Sequence, residues 1–243
     1  MNKIPEILKH KNSDIIMSLK KIGIFQLFLL TTFQIFFLSC NSKLKNEKAI
    51  RKVFEVYTTS IINEDYAKAV DCLDSRSVAY NEYLLNNIKN SDSLFLNTLS
   101  IMDRISILLV RTIATKSEIN SFDGKSIYEW MLMKGFVDKS DVANSSIGEI
   151  SIINNIAQGE LINENIKKMI LNKELMKENI PKITFYFENN KWKFNTISIQ
   201  IIAEPLFNKM ATESGLDENT FILKAIQLNT GIFPNKEVWK PIQ

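Results

Sequence analysis

The chain has 243 residues, 45% of them apolar and 23% charged, with a formal net charge of +3, one histidine and two cysteines. The positive excess lies wholly in the first 39 residues, whose five lysines face two acids; the remaining 25 basic and 25 acidic residues cancel, which gives no support to nucleic-acid binding, since that requires a basic face, and no nucleic-acid partner is expected. His10 lies in the same stretch, so the rest of the chain has no histidine for a Ser-His-Asp or Cys-His site, a histidine-ligated zinc or an imidazole switch, and its scattered glycines form no phosphate-cradling loop; no cofactor and no metal are expected.

Lys20-Lys21 precede an apolar run from Ile22 to Leu38, a positive segment followed by a hydrophobic one. As a helix that run reaches roughly 26 Å, short of the ~30 Å hydrocarbon core of a bilayer, and so reads as a signal sequence rather than a permanent span. It closes on Phe37-Leu38-Ser39-Cys40, which resembles the lipobox of bacterial lipoprotein signal peptides. The resemblance implies diacylation of the Cys40 thiol (a palmitate-type anchor), cleavage ahead of it, and a protein lipid-anchored to a membrane of the bacterial cell envelope. Residues 1–16 mix Glu6, Asp14 and Pro5 among lysines, unlike either a leader or a domain, so translation is expected to start at Met17. Residues 40–47 read as a polar tether, whose stretch from Asn41 to Glu47 spans at most about 25 Å, and 48–243 as a single domain.

From Glu47 onward Ile50, Val53, Phe54, Tyr57 and Ile61 share one helical face, ending near Asn63. Asp65 is placed to cap a short helix to Leu73, and Asp74-Ser75 a third helix to about Ile88; Asn90-Ser91-Asp92-Ser93 breaks the pattern and restarts a helix towards Ile113. Cys72 falls on an apolar stripe with Ala69 and Leu73, as a buried small hydrophobe does. A further helix from about Lys125 turns Ile127, Trp130 and Met131 inward and stops at Gly135.

The period then changes. Residues 183–188 and 191–194 alternate apolar and polar about Asn189-Asn190, a type I′ hairpin signature that sets Phe187 opposite Trp192 and Phe185 opposite Phe194. Ile147 to Ile162 reads as a second strand pair folded about Asn154-Asn155. The shift of apolar parity at Ile197 and Ile199 predicts a bulge near Asn195-Thr196, residues 163–178 stay unassigned, Pro205 is expected to open one helix, Asp217 to cap another before Gly231, and the tail around Val238 and Trp239 to dock. The sum is an α+β fold with additional C-terminal helices.

Ala49-Ile-Arg-Lys-Val-Phe-Glu-Val-Tyr57, Asn63-Glu-Asp-Tyr-Ala-Lys-Ala-Val70 and Asn190-Lys-Trp-Lys-Phe194 together resemble the nuclear transport factor 2-like superfamily. The resemblance covers about Lys48 to Ile199 and implies a cone: N-terminal helices packed in the hollow of a curved antiparallel sheet. That superfamily hosts isomerases, dehydratases, small-ligand binders and scaffolds, so the fold alone assigns no function.

Arg104 and Arg111 lie seven apart on the most apolar helix, and a buried guanidinium there needs a carboxylate, with Asp103, Glu129 or Glu149 available, or an anionic ligand. With Tyr57, Trp130 and Tyr186 they make the candidate ligand or anion pocket; the same aromatics, with Phe185, Phe187, Trp192 and Phe194, also serve as core. No catalytic couple has a defensible spacing. The expected function is a non-catalytic envelope lipoprotein binding a small ligand or a protein partner; the alternatives are a histidine-free acid–base enzyme drawing on Asp103, Glu129, Tyr128 or Tyr186, and a scaffold of an envelope complex.

Overall fold

The computed structural model describes residues 43–171 and 179–242. Cys40 and the apolar run before it lie outside these residues, as do 172–178 of the stretch left unassigned by sequence. Residues 1–48 and 49–243 form separate compact units. In the first, the described residues 43–48 are helical and carry a Lys43–Glu47 ion pair at 3.9 Å, so helix begins inside the stretch read as tether. No helix among the described residues is long and apolar enough to cross a membrane.

Helix α1 (43–62) buries Ile50, Phe54, Tyr57 and Ile61, the predicted stripe, and ends where Glu64 takes a φ of 62°. Caps then punctuate the chain. Asp65 accepts from the Lys68 amide at the head of α2 (Tyr66–Asp71), and Asp74 from the Ser77 amide at the head of α3 (Ser75–Asn90). Asp92 heads α4 (Ser93–Leu96). The helix expected to run unbroken from Ser93 to Ile113 is instead divided, because the Ser100 hydroxyl accepts from the Asp103 amide and starts α5 (Ile101–Ile113) afresh. A Thr115–Glu118 capping box opens α6 (Lys116–Ser121), and Asp138 caps α8 (Lys139–Ala143), short helices that the sequence reading left out. Between them α7 (Gly124–Met133) follows the predicted stripe, and Gly135 at φ 78° ends it.

The sheet is antiparallel in the order β1 (Ser146–Ile153), β2 (Ile156–Ile162), β3 (Lys182–Glu188), β4 (Lys191–Asn195). Both Asn-Asn turns form, with positive φ at Asn154, Asn189 and Asn190, and the β3–β4 register pairs Phe185 with Phe194 and Phe187 with Trp192. One face is apolar: Ile147, Ile150, Ala157, Ile183, Phe185, Trp192 and Phe194 are buried. Helix α1 lies on this face, Phe54 meeting Phe185 and Phe194 edge-on at 6.5 and 5.8 Å and Tyr57 tilting onto Phe194 at 4.6 Å. Gly159 sits where a Cβ would come within 2.7 Å of the Ile147 side chain, so the crowded centre of the sheet admits no larger residue without a shift. The ladder irregularity lies between Ile147 and Ile150, not at Asn195-Thr196.

The reason is that β4 does not continue. Ile197 begins α10 (Ile197–Glu213), started by the Asn195 side chain accepting from the Ser198 amide at 3.1 Å, and Pro205 sits inside this helix rather than at its head. Helix α10 is apolar on most sides and leaves Ile201, Leu206 and Met210 exposed. Asp217 caps α11 (Glu218–Thr230), and Gly231 at φ 73° ends it, both as predicted. After β2, Glu164–Leu171 forms the helix α9. The molecule is thus α+β, with one core cluster shared by the helical head, the sheet and the tail. Cys72 belongs to that core at 6% exposure, and burial first of all raises its thiol pKa, as an inert structural cysteine requires.

Candidate functional site

The tail makes the site. After Gly231 the chain returns through Ile232–Pro234, and Asn235, accepting from the Glu237 amide at 2.8 Å, starts a 3₁₀ turn (Lys236–Trp239) that buries Val238. Arg111, in the last turn of α5, fixes this turn to the end of α3. Its Nε donates to the Ile88 carbonyl at 2.9 Å, Nη2 to Asn87 and Ser91 at 2.9 and 2.7 Å, and Nη1 to Val238 at 2.9 Å. Asn87 and Ile88 belong to the last turn of α3, where the Asn87 carbonyl also accepts from the Ser91 amide at 3.1 Å and the last carbonyls mark the negative end of the helix dipole, so a cation is favoured there.

Among the described residues no carboxylate pairs with Arg111. It is 9% exposed, and desolvation pushes its pKa down to about 10. Among the described residues, backbone dipoles alone therefore hold its charge. Arg111 and the tail line a groove of 690 Å³, with Lys116 and Lys240 as further cations and Phe233, Pro234 and Ile242 as apolar wall. Its one acid, Glu237, is bound to Lys240 at 3.0 Å. The volume suits a ligand of some tens of atoms, and the lining, more polar than apolar, combines cationic with apolar side chains.

The five residues expected to form a pocket are not brought together. Only Arg111 lines the groove. Arg104, 6% exposed, forms an ion pair with Glu218 and donates to Asn219 at 3.2 Å, with its Nε unpartnered among the described residues. The carboxylate comes from the first turn of α11, and none of Asp103, Glu129 and Glu149 pairs with either arginine. Tyr57 and Tyr128 share a buried hydrogen bond at 2.6 Å between their hydroxyls, and burial raises both pKa values, that of Tyr128 to about 12. Trp130 donates to Glu118 at 3.3 Å and packs between Phe122 and Phe136. Tyr186 lies under the Arg76 guanidinium at 3.8 Å, itself bonded to Glu188 at 2.7 Å.

Of the acid–base candidates, Asp103 accepts from the Tyr80 hydroxyl, and Glu204 of α10 reaches across to the amides of Ile101 and Met102, both at 3.1 Å, capping α5 from outside. Burial, offset by the Tyr80 bond and reinforced by Glu204, holds the Asp103 carboxyl above its ordinary range. No cluster of three or more potential metal ligands occurs among the described residues. The residues missed by sequence, Lys116, Phe233 and Lys240, meet only through the docking of the tail and carry no local pattern of their own.

No family model matches the chain, and no curated protein or solved structure is significantly similar to it.

Proposed function

We propose that this protein is a lipid-anchored, non-catalytic lipoprotein of a bacterial envelope that binds an amphipathic ligand with an anionic end in the groove between α5 and the tail. The observation that carries the ligand class is the buried Arg111 guanidinium, uncompensated by any described carboxylate, on a wall it shares with Lys116 and apolar side chains. The anchor rests on Phe37-Leu38-Ser39-Cys40. Packing of α1 across Phe185 and Phe194 supports the cone-like arrangement of the nuclear transport factor 2-like superfamily as part of the same reading.

Calorimetric titration of the full chain with a long-chain fatty acid and with the alcohol of equal length tests the ligand class. The acid binds and the alcohol binds at least roughly tenfold more weakly, and Lys116→Glu removes the difference. Equal affinities for acid and alcohol, or no binding of either, would sink the reading.

A second reading, the histidine-free acid–base enzyme, is favoured by the raised Asp103 carboxyl beside the Tyr80 hydroxyl. It requires Asp103→Asn to abolish a turnover that the ligand-binding reading does not predict at all.

A further inference from the structure

The two edges of the sheet are treated differently. The Phe194 amide donates to the Cys72 carbonyl at 2.8 Å, and its carbonyl accepts from the Asp74 amide at 3.0 Å, so the segment between α2 and α3 covers the outer side of β4. At the opposite edge, Arg51 reaches the Ile147 carbonyl and, at 2.6 Å, that of Gly148, and the ladder irregularity follows directly. Beyond it, β1 meets no second strand among the described residues.

Register shows which backbone groups lie open. Ile153 and Ile156 flank the Asn154-Asn155 turn and, as the closing pair of a two-residue hairpin, bond to each other. Alternation along an antiparallel ladder then directs the amides and carbonyls of Ile152 and Ile150 away from β2. The same alternation directs Phe194 outward on β4, where Cys72 and Asp74 satisfy it. The usual edge protections are missing from this half of β1: Ile150-Ser-Ile-Ile153 contains no lysine and no proline, and Ile153 is 73% exposed.

We infer that β1 is an interface for a second copy of this chain, joined antiparallel across a two-fold axis at Ser151. Ile150 of one copy then exchanges both backbone bonds with Ile152 of the other, and Ile152 with Ile150, so one arrangement satisfies every open group of this half-strand. Charge favours the self-match. Ser151, exposed, meets its own copy, and Glu149 stands opposite the neutral Ile153, so no like charges face each other across the seam. Ile150 and Ile152 of both copies lie on the apolar side, extending the buried face from one sheet into the next.

The test is the mass of the full chain in detergent by sedimentation, with S151K and S151E as variants whose exposed side chain stands outside the core and whose backbone pairing with Gln158 of β2 either residue can make. The wild type has the mass of two chains. Each variant alone places like charges in direct opposition and has the mass of one, while an equimolar mixture of the two regains the mass of two. A wild-type chain that stays monomeric at the highest attainable concentration overturns the inference, including the case where it is monomeric and holds some other extended peptide. So does a dimer that both variants leave intact.

Discussion

The Arg111 guanidinium donates to the Val238 carbonyl at 2.9 Å, joining α5 to a residue 127 positions further along the chain. Three other carbonyls, of Asn87, Ile88 and Ser91, converge on the same side chain, which makes it the fastening between α3, α5 and the tail.

Replacing Arg111 with methionine keeps much of its apolar stem but takes their donor from the Ile88, Ser91 and Val238 carbonyls, while the Asn87 carbonyl keeps the Ser91 amide. The expected loss is about 3 kcal/mol in unfolding free energy, read by urea denaturation, because each stranded polar group costs roughly 1–3 kcal/mol before relaxation lets in water. Arg111→Lys restores part of it, since one ammonium cannot reach all of the carbonyls that the planar fork spans. A methionine variant as stable as the wild type would show that the tail is not held this way.

Trp192 separates core from pocket. It is 6% exposed, opposite Phe187 with ring centroids 5.4 Å apart, and lies far in sequence from the residues of the groove. Trp192→Ala therefore loses ~3–5 kcal/mol of stability, as large-to-small changes in a packed core do, and leaves fatty-acid affinity at the groove unchanged. A stable variant with lost binding would move the ligand site onto the sheet.

Much of this was legible beforehand. Asp65, Asp74 and Asp217 each stand one residue before an apolar helical stripe, and the structure uses each as a cap. Asn189-Asn190 specified the hairpin register because only a turn with positive φ at both positions joins strands with that apolar pairing. The reading failed at Ile197 and Ile199. Their alternation mimics a strand, but the Asn195 side chain on the Ser198 amide starts a helix there, and Pro205 in its interior reads locally as a helix start. For Arg111 the sequence points to a carboxylate or an anionic ligand, whereas four backbone carbonyls hold it. Its partners were not foreseen, because backbone carbonyls at a helix end leave no mark in residue type.

The Asp103 carboxyl gives a pH dependence of definite sign. Its folded-state pKa is raised, first by burial, so the folded state holds the proton more tightly than the unfolded one. Its contribution to stability is complete below the ordinary carboxylate range and is lost as pH rises through the folded pKa. Asp103→Asn, which keeps an acceptor for Tyr80, therefore melts above the wild type at neutral pH, and the gap closes on acidification. A gap that instead widens towards low pH would mean that the ionised form is the one stabilised.

The proposed attachment of the domain to a membrane runs through Cys40. Intact-mass spectrometry of the native full-length product, extracted from membranes without prior delipidation, tests this most directly. The account predicts a chain that begins at Cys40 and carries the added mass of a diacylglyceryl group, with Cys40→Ser leaving an unprocessed precursor. A native product that starts elsewhere or has no added lipid mass would contradict it.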